Sequence, residues 1–131
     1  MEHAKEIEIR WADLDVYGHV NHVVFLTYLE EARDEWLRAA LGELGAAWDH
    51  VVARVEIDYR RELTLADDVV VARCGLERIG TSSVVTRESV ETRAGEVAAE
   101  AKAVLVARDE ESGRSRPLGE SERSAFERAF A

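Results

Sequence analysis

Between Lys5 and Trp11 apolar and charged residues alternate, with Ile7, Ile9 and Trp11 on one side and Glu6, Glu8 and Arg10 on the other. Successive side chains of a strand point to opposite faces, so this period of two predicts a strand with one solvated face. From about Val23 to Leu41 the period lengthens: Phe25, Leu29, Ala32, Trp36 and Ala40 recur at spacings of three and four. That spacing lines them up along one stripe of a helix, with Glu30, Glu31, Arg33, Asp34, Glu35 and Arg38 largely off it. Asn21 is placed to cap the first turn, and Gly42 or Gly45 to end the last.

Strand patterns dominate the remainder. Val51, Ala53, Val55, Ile57 and Tyr59 alternate with Arg54, Glu56, Asp58 and Arg60. Asp68–Ile79 opens apolar on both faces, as a more buried strand does. Gly80-Thr81 turns it into Ser82–Thr92, and Ala94-Gly95 turns that strand into Glu96–Arg108. Glu110–Pro117 reads as a polar loop and Glu120–Phe130 as a short closing helix. The order is strand, long helix, then four strands joined by short turns. It predicts a single α+β domain over residues 1–131, with one antiparallel sheet and the helix stripe on one face.

Composition narrows the function. The 131 residues are 47% hydrophobic and 34% charged, which suits a folded globular chain. No apolar run approaches the roughly 20 residues of a membrane span, and Met-Glu-His-Ala-Lys-Glu is too polar for a secretory signal. The single cysteine, Cys74, allows no internal disulfide, so a reducing cytoplasm is the expected compartment. Net charge is −10 and the longest basic run is Arg60-Arg61, which argues against a nucleic-acid partner. An anionic ligand must be met by local arginines.

The chemistry is concentrated between Asp13 and His22, where two carboxylates, two imidazoles, a glycine and an amide fall between a predicted strand and a predicted helix. Rigid elements fix both flanks of such a stretch, and the unpaired N–H groups of the helix start face back toward it. Asp15, His19, Asn21 and His22 are the candidate catalytic residues. Taken on spacing alone, Asp13 and Asp15 also read as turn residues, His19 as a locally bonded imidazole and Asn21 as a cap.

Arg10-Trp11-x-Asp13-x-Asp15-x-x-Gly18-His19-Val20-Asn21-His22-x-x-Phe25-x-x-Tyr28-x-Glu30-x-Ala32-Arg33 resembles the signature of the 4-hydroxybenzoyl-CoA thioesterase family of acyl-CoA thioesterases. Val55–Arg61, Gly80–Ser83 and Gly113–Pro117 resemble later segments of the same family. The resemblance implies the hot-dog fold, an antiparallel sheet wrapped around one long central helix, and hydrolysis of a thioester to acid and coenzyme A. It implies Asp15 as base or nucleophile, and a backbone N–H near His22 as donor to the carbonyl oxygen. A carboxylate and an oxyanion donor suffice for a thioester, whose leaving group is already activated. The phosphates of coenzyme A would be met by Arg60, Arg61, Arg78, Arg114 and Arg116, with hydroxyls from Thr81 and Ser82. Tyr17 and Gly18 are also assigned to the substrate. No cofactor or metal is implied.

An acyl carrier protein thioester is an alternative substrate. A hydratase on the same fold is disfavoured, because His19 is separated from Asp15 by three residues and from Asp13 by five, not four. A non-catalytic acyl-binding module is disfavoured by Asp15 itself. The working unit is expected to be a homodimer or homotetramer centred on Val51–Tyr59. That strand lacks glycine and proline to blunt an edge, and Arg54, Glu56, Asp58 and Arg60 supply charges to set a two-fold register.

Overall fold

A computed structural model of the chain describes residues 1–130, apart from the side chains of Ala46 and Ala47, so Ala131 of the expected domain lies outside it. Five strands, β1 (Glu2–Glu8), β2 (His50–Tyr59), β3 (Val69–Ile79), β4 (Ser83–Thr92) and β5 (Val97–Ala107), form one antiparallel sheet in the order β1-β3-β4-β5-β2. Helix α1 (His22–Leu41) lies on one face, and α2 (Glu120–Arg128) closes its far end. This is the hot-dog fold.

The α1 stripe forms as its periodicity requires: Phe25, Leu29, Ala32, Trp36, Leu37 and Leu41 are buried, facing Val70, Ala72, Cys74, Val84, Val90 and Leu105 of the sheet. Gly42 ends the helix with φ +58, a conformation that side chains with a Cβ resist. Phe126 of α2 stacks on Trp36 and meets Trp48 edge-on, with ring centroids 6.1 and 5.4 Å apart. Glu35 ties α1 to β1 by accepting from His3 Nε2 at 2.7 Å and from Lys5 Nζ.

Arg33 lies off the apolar stripe and is nonetheless buried, its Nε and Nη2 donating to the two carboxylate oxygens of Glu88 on β4, each at 2.8 Å. The Thr86 hydroxyl donates to the same carboxylate, and the Cys74 thiol lies 3.8 Å from it. Burial pushes the Cys74 thiol up and away from thiolate chemistry.

Three expectations change. The first strand runs Glu2–Glu8, not Lys5–Trp11; Trp11–Asp13 forms a short 3-10 turn and Trp11 is 80% exposed. A bulge lies between Val52 and Arg54. Val52 therefore pairs with Leu105 on the helix side together with Val55 and Ile57, while Val51 pairs with Val106. The four later strands are not all joined by short turns either. β2 pairs with β5, so residues 60–68 must cross the end of the sheet past β5 and β4 to reach β3.

Candidate active site

Asp13 organises the entry to α1. It is 1% exposed and accepts from the Arg10 backbone N–H at 2.9 Å, Arg10 Nη2 at 2.8 Å and the Tyr28 hydroxyl at 2.8 Å. Burial alone would raise its pKa, but the Arg10 guanidinium, the Arg10 N–H and the Tyr28 hydroxyl outweigh it, so the carboxyl sits below its ordinary value of 3.8. Burial and the Asp13 charge together push the Tyr28 phenol upward. Asp13 is thus a structural anchor. A carboxyl depressed in the folded state stabilises it above the unfolded pKa, and that contribution is lost as pH falls through the folded value. Asp13→Asn should lower stability at neutral pH by about 1–3 kcal/mol of lost hydrogen bonding, seen as a lower Tm. The gap to wild type should narrow below about pH 4, as melting curves at the two pH values would show.

The next residues fold into a tight loop. Leu14 and Val20 form an isolated antiparallel bridge, and the Asp15 N–H donates to the His19 carbonyl at 2.8 Å. Gly18 holds φ +80 at the tip. Asp15 Oδ1 is occupied by this turn, accepting from Tyr17 N–H at 2.9 Å and His19 N–H at 3.3 Å. Oδ2 has no hydrogen-bond partner among the described residues. The loop therefore fixes the carboxylate through one oxygen and leaves the other to react.

The start of α1 faces the same space. Asn21 Oδ1 caps the helix by accepting from Val23 N–H at 2.9 Å, and Asn21 N–H donates to the Asp13 carbonyl. The side-chain oxygen of Asn21 thereby serves the cap. His22 is the first helical residue, and its N–H has no partner among the described residues. An unclaimed N–H at the positive end of a 20-residue helix is suited to a developing oxyanion.

Asp15, His19, His22, Arg60 and Arg61 converge on one cleft of ≈ 450 Å³, together with Val20, Phe25, Tyr59 and Glu62. Arg60 reaches Glu100 at 3.2 Å, and Arg61 is held by Asp67 and Glu96, each at 3.2 Å. Tyr17 and Gly18 are exposed on the loop above. Arg78, Thr81 and Ser82 lie elsewhere: they sit around the β3–β4 turn, at the opposite end of β3, roughly 30 Å away at about 3.3 Å per strand residue. Arg114 and Arg116 follow β5 at that same far end, where Arg116 N–H donates to the Ala107 carbonyl and its guanidinium pairs with Glu122 at 2.7 Å.

The sequence pattern singles out neither Tyr59 nor Glu62 for the site. Tyr59 closes β2 and donates its hydroxyl to the His22 carbonyl at 2.8 Å, with Phe25 edge-on to its ring at 5.2 Å. Glu62 Oε2 meets His19 Nε2 at 3.0 Å. Nothing local announces either role, because the crossover that brings residues 59–62 under the Asp15 loop is a tertiary event. Among the described residues no three His, Cys, Asp or Glu side chains gather as a metal site. Among them, too, no helix is long and apolar enough to cross a membrane.

Comparison with known proteins decides the family. The profile of the Thioesterase-like superfamily matches residues 9–126, a span that contains the whole cleft and the core around it. The chain belongs to that superfamily. It is a thioester hydrolase, as the superfamily and its named relatives indicate. Within the superfamily it is similar to the long-chain acyl-CoA thioesterase FadM of Escherichia coli strain K12, with 30% identity over 79% of this chain and 81% of that protein. A thioesterase from Thermus thermophilus, solved in complex with coenzyme A and zinc, superposes with a TM-score of 0.85 at 35% identity, covering 95% of this chain and 96% of that one. A 1,4-dihydroxy-2-naphthoyl-CoA thioesterase from Synechocystis shares the fold, with a TM-score of 0.83 at 17% identity over 100% of this chain and 99% of that one.

Proposed function

We propose that this protein hydrolyses an acyl-CoA thioester to the free acid and coenzyme A, with Asp15 as the reacting carboxylate and the His22 N–H as donor to the carbonyl oxygen. One observation carries the reading: Asp15 is held through Oδ1 while Oδ2 stays free, in the cleft that receives the unclaimed N–H of α1. Removing an oxyanion donor of this kind typically costs about 2.7–4 kcal/mol of transition-state stabilisation. Two relatives support coenzyme A as carrier: FadM is named for long-chain acyl-CoA, and the Thermus enzyme was solved with coenzyme A. The net charge of −10 disfavours the alternative, a broad interface with an acidic acyl carrier protein.

Thiol release from a panel of short, long, branched and aryl acyl-CoAs, with acyl carrier protein thioesters alongside, tests carrier and acyl group together. Turnover of carrier-protein thioesters alone would replace coenzyme A in the proposal. No thiol release from any member would overturn it.

The site is completed by a second copy. β2 is an edge strand with Val51, Val52, Val55 and Tyr59 all exposed, and such an edge invites pairing. Its charges are already matched within the chain, Arg54 with Glu56 and Arg60 with Glu100, so the edge presents little net repulsion to its own copy. Self-pairing across a two-fold axis is antiparallel, setting the His50 end of one copy beside the Tyr59 end of the other. The β3–β4 turn lies at the His50 end, where Ala107 pairs with His50 and its N–H donates to the Ser82 carbonyl. Thr81, Ser82 and Arg78 of one copy thus approach the Asp15 cleft of the other, joining two groups that one chain keeps apart. Sedimentation at micromolar concentration should show a dimer or a tetramer built from dimers. A fully active monomer would refute the shared site.

A further inference from the structure

Helix α1 packs over β1, β3 and β4 and stands off β2. Val55, Ile57 and Tyr59 of β2 lie opposite the buried Ala103, Ala101 and Ala99 of β5, so all three face the helix side of the sheet. Val55 and Tyr59 nevertheless remain exposed and Ile57 half-buried, because no helix covers them. On α1, His22, Leu26 and Glu30 follow one another at intervals of four and form one row along the helix. Two cavities show that this row looks toward β2. The Asp15 cleft takes in His22 and Tyr59, and a second cavity of ≈ 410 Å³ takes in Glu30, Leu37, His50 and Val52. Helix and strand thus run side by side in opposite directions. The rise from His22 to Leu37 along one and from Tyr59 to Val52 along the other is about 23 Å in each case. Between them lies an apolar groove, with Leu26 on one wall, Val55 and Ile57 on the other, and the small alanines of β5 as its floor.

At its His22 end the groove opens into the cleft where the thioester carbonyl is placed. We infer that the groove holds the acyl chain and that Glu30 ends it, so that the protein takes medium-chain acyl groups. This rests on the cleft's reading as a thioesterase site and deepens it. From His22 to Glu30 the helix rises about 12 Å, and an extended carbon chain advances about 1.2 Å per bond, a third of an extended residue, so the apolar stretch holds about eight to ten carbons. Glu30 is exposed and makes no hydrogen bond or ion pair with another described residue. The cations near it are committed elsewhere, Arg33 to Glu88 and Arg38 to Asp34. Methylenes before Glu30 gain from leaving water for the groove. A longer chain must lay its end against an unpaired carboxylate and strip it of water, with no partner to compensate. A second copy paired at the β2 edge would add a wall to the groove's open side. The limit would set this chain apart from FadM, which is named for long-chain acyl-CoA.

Straight-chain acyl-CoAs from butanoyl to hexadecanoyl, each kept below its micelle concentration and assayed by thiol release, read the limit directly. In the wild type kcat/KM should rise several-fold with each added pair of carbons up to decanoyl, as buried methylenes accumulate, and fall beyond it. Glu30 is exposed, so its replacement leaves the core untouched. Glu30→Leu prolongs the apolar row and should raise the hexadecanoyl-to-octanoyl ratio of kcat/KM at least about tenfold, chiefly through KM. Glu30→Gln keeps the size and loses the charge, and it should move the ratio the same way by a smaller factor. A wild type as efficient on hexadecanoyl-CoA as on octanoyl-CoA overturns the proposal, and so does a ratio unmoved in either variant. A wild type that hydrolyses aryl acyl-CoAs alone removes this groove's role and leaves the functional reading standing. A wild type that releases thiol from neither series overturns both.

Discussion

Asp15→Asn should lower kcat by at least about 10²-fold while leaving the fold intact, the lower end of what a positioned general base contributes. The expectation rests on the division of labour between the two carboxylate oxygens. Oδ1 accepts from the Tyr17 and His19 N–H groups, and an asparagine oxygen can do the same, so the loop survives. Oδ2 becomes an amide nitrogen, which neither removes a proton nor attacks a carbonyl. Thiol release at saturating substrate measures the loss, and circular dichroism checks the fold. Undiminished turnover with an unchanged spectrum would place the chemistry on another group.

Glu88→Gln should cause a larger loss of stability than Asp13→Asn. It leaves the Arg33 guanidinium buried without its counter-charge, and breaking one partner of a buried ion pair typically costs about 3–5 kcal/mol. For a chain of 131 residues that corresponds to a fall in Tm of roughly 10–20 °C. Arg33→Met combined with Glu88→Met should recover much of the loss, because two apolar side chains of similar length leave no charge to satisfy. Urea midpoints for both proteins decide the matter. Equal destabilisation in the single and double variants would mean that shape, not charge, holds this part of the core.

Much of this molecule is legible in its sequence, because much of it is periodic. The α1 stripe, its Asn21 cap and its Gly42 stop follow from local rules, and the observed helix starts one residue before the expected one. The hairpins β3–β4 and β4–β5 follow from turn residues between β-branched runs. What the pattern misses is tertiary. Trp11 alternates correctly for a strand, yet the Asp13 carboxylate, by accepting the Arg10 N–H, turns the backbone before the strand can reach it. Arg33 looks solvated on a helical wheel, and only the position of Glu88 on another element shows otherwise. The bulge in β2 reverses the faces of Val51 and Val52 relative to a strict alternation, which no residue type there signals.

The candidate site divides along the same line. Asp15, His19 and His22 are close in sequence, so their meeting needs only a loop and a helix start. Tyr59 and Glu62 reach them from the other edge of the sheet, and Arg78, Thr81 and Ser82 do not reach them within one chain at all. Sequence neighbours carry their own signal, and partners brought by topology carry none.

The crossover between β2 and β3 also orders the events by which the chain acquires its shape. β3, β4 and β5 join through short turns and can close early, since little loop entropy opposes them. β2 must find β5 across most of the chain's second half, with His50 against Ala107, and contacts of such range form late. That same closure delivers Tyr59 to His22 and Glu62 to His19. The cleft should accordingly be the last region to assemble and the first to come apart. Amide exchange should find β2 and the Asp15 loop opening below the global unfolding energy, with activity lost while the meander is still intact.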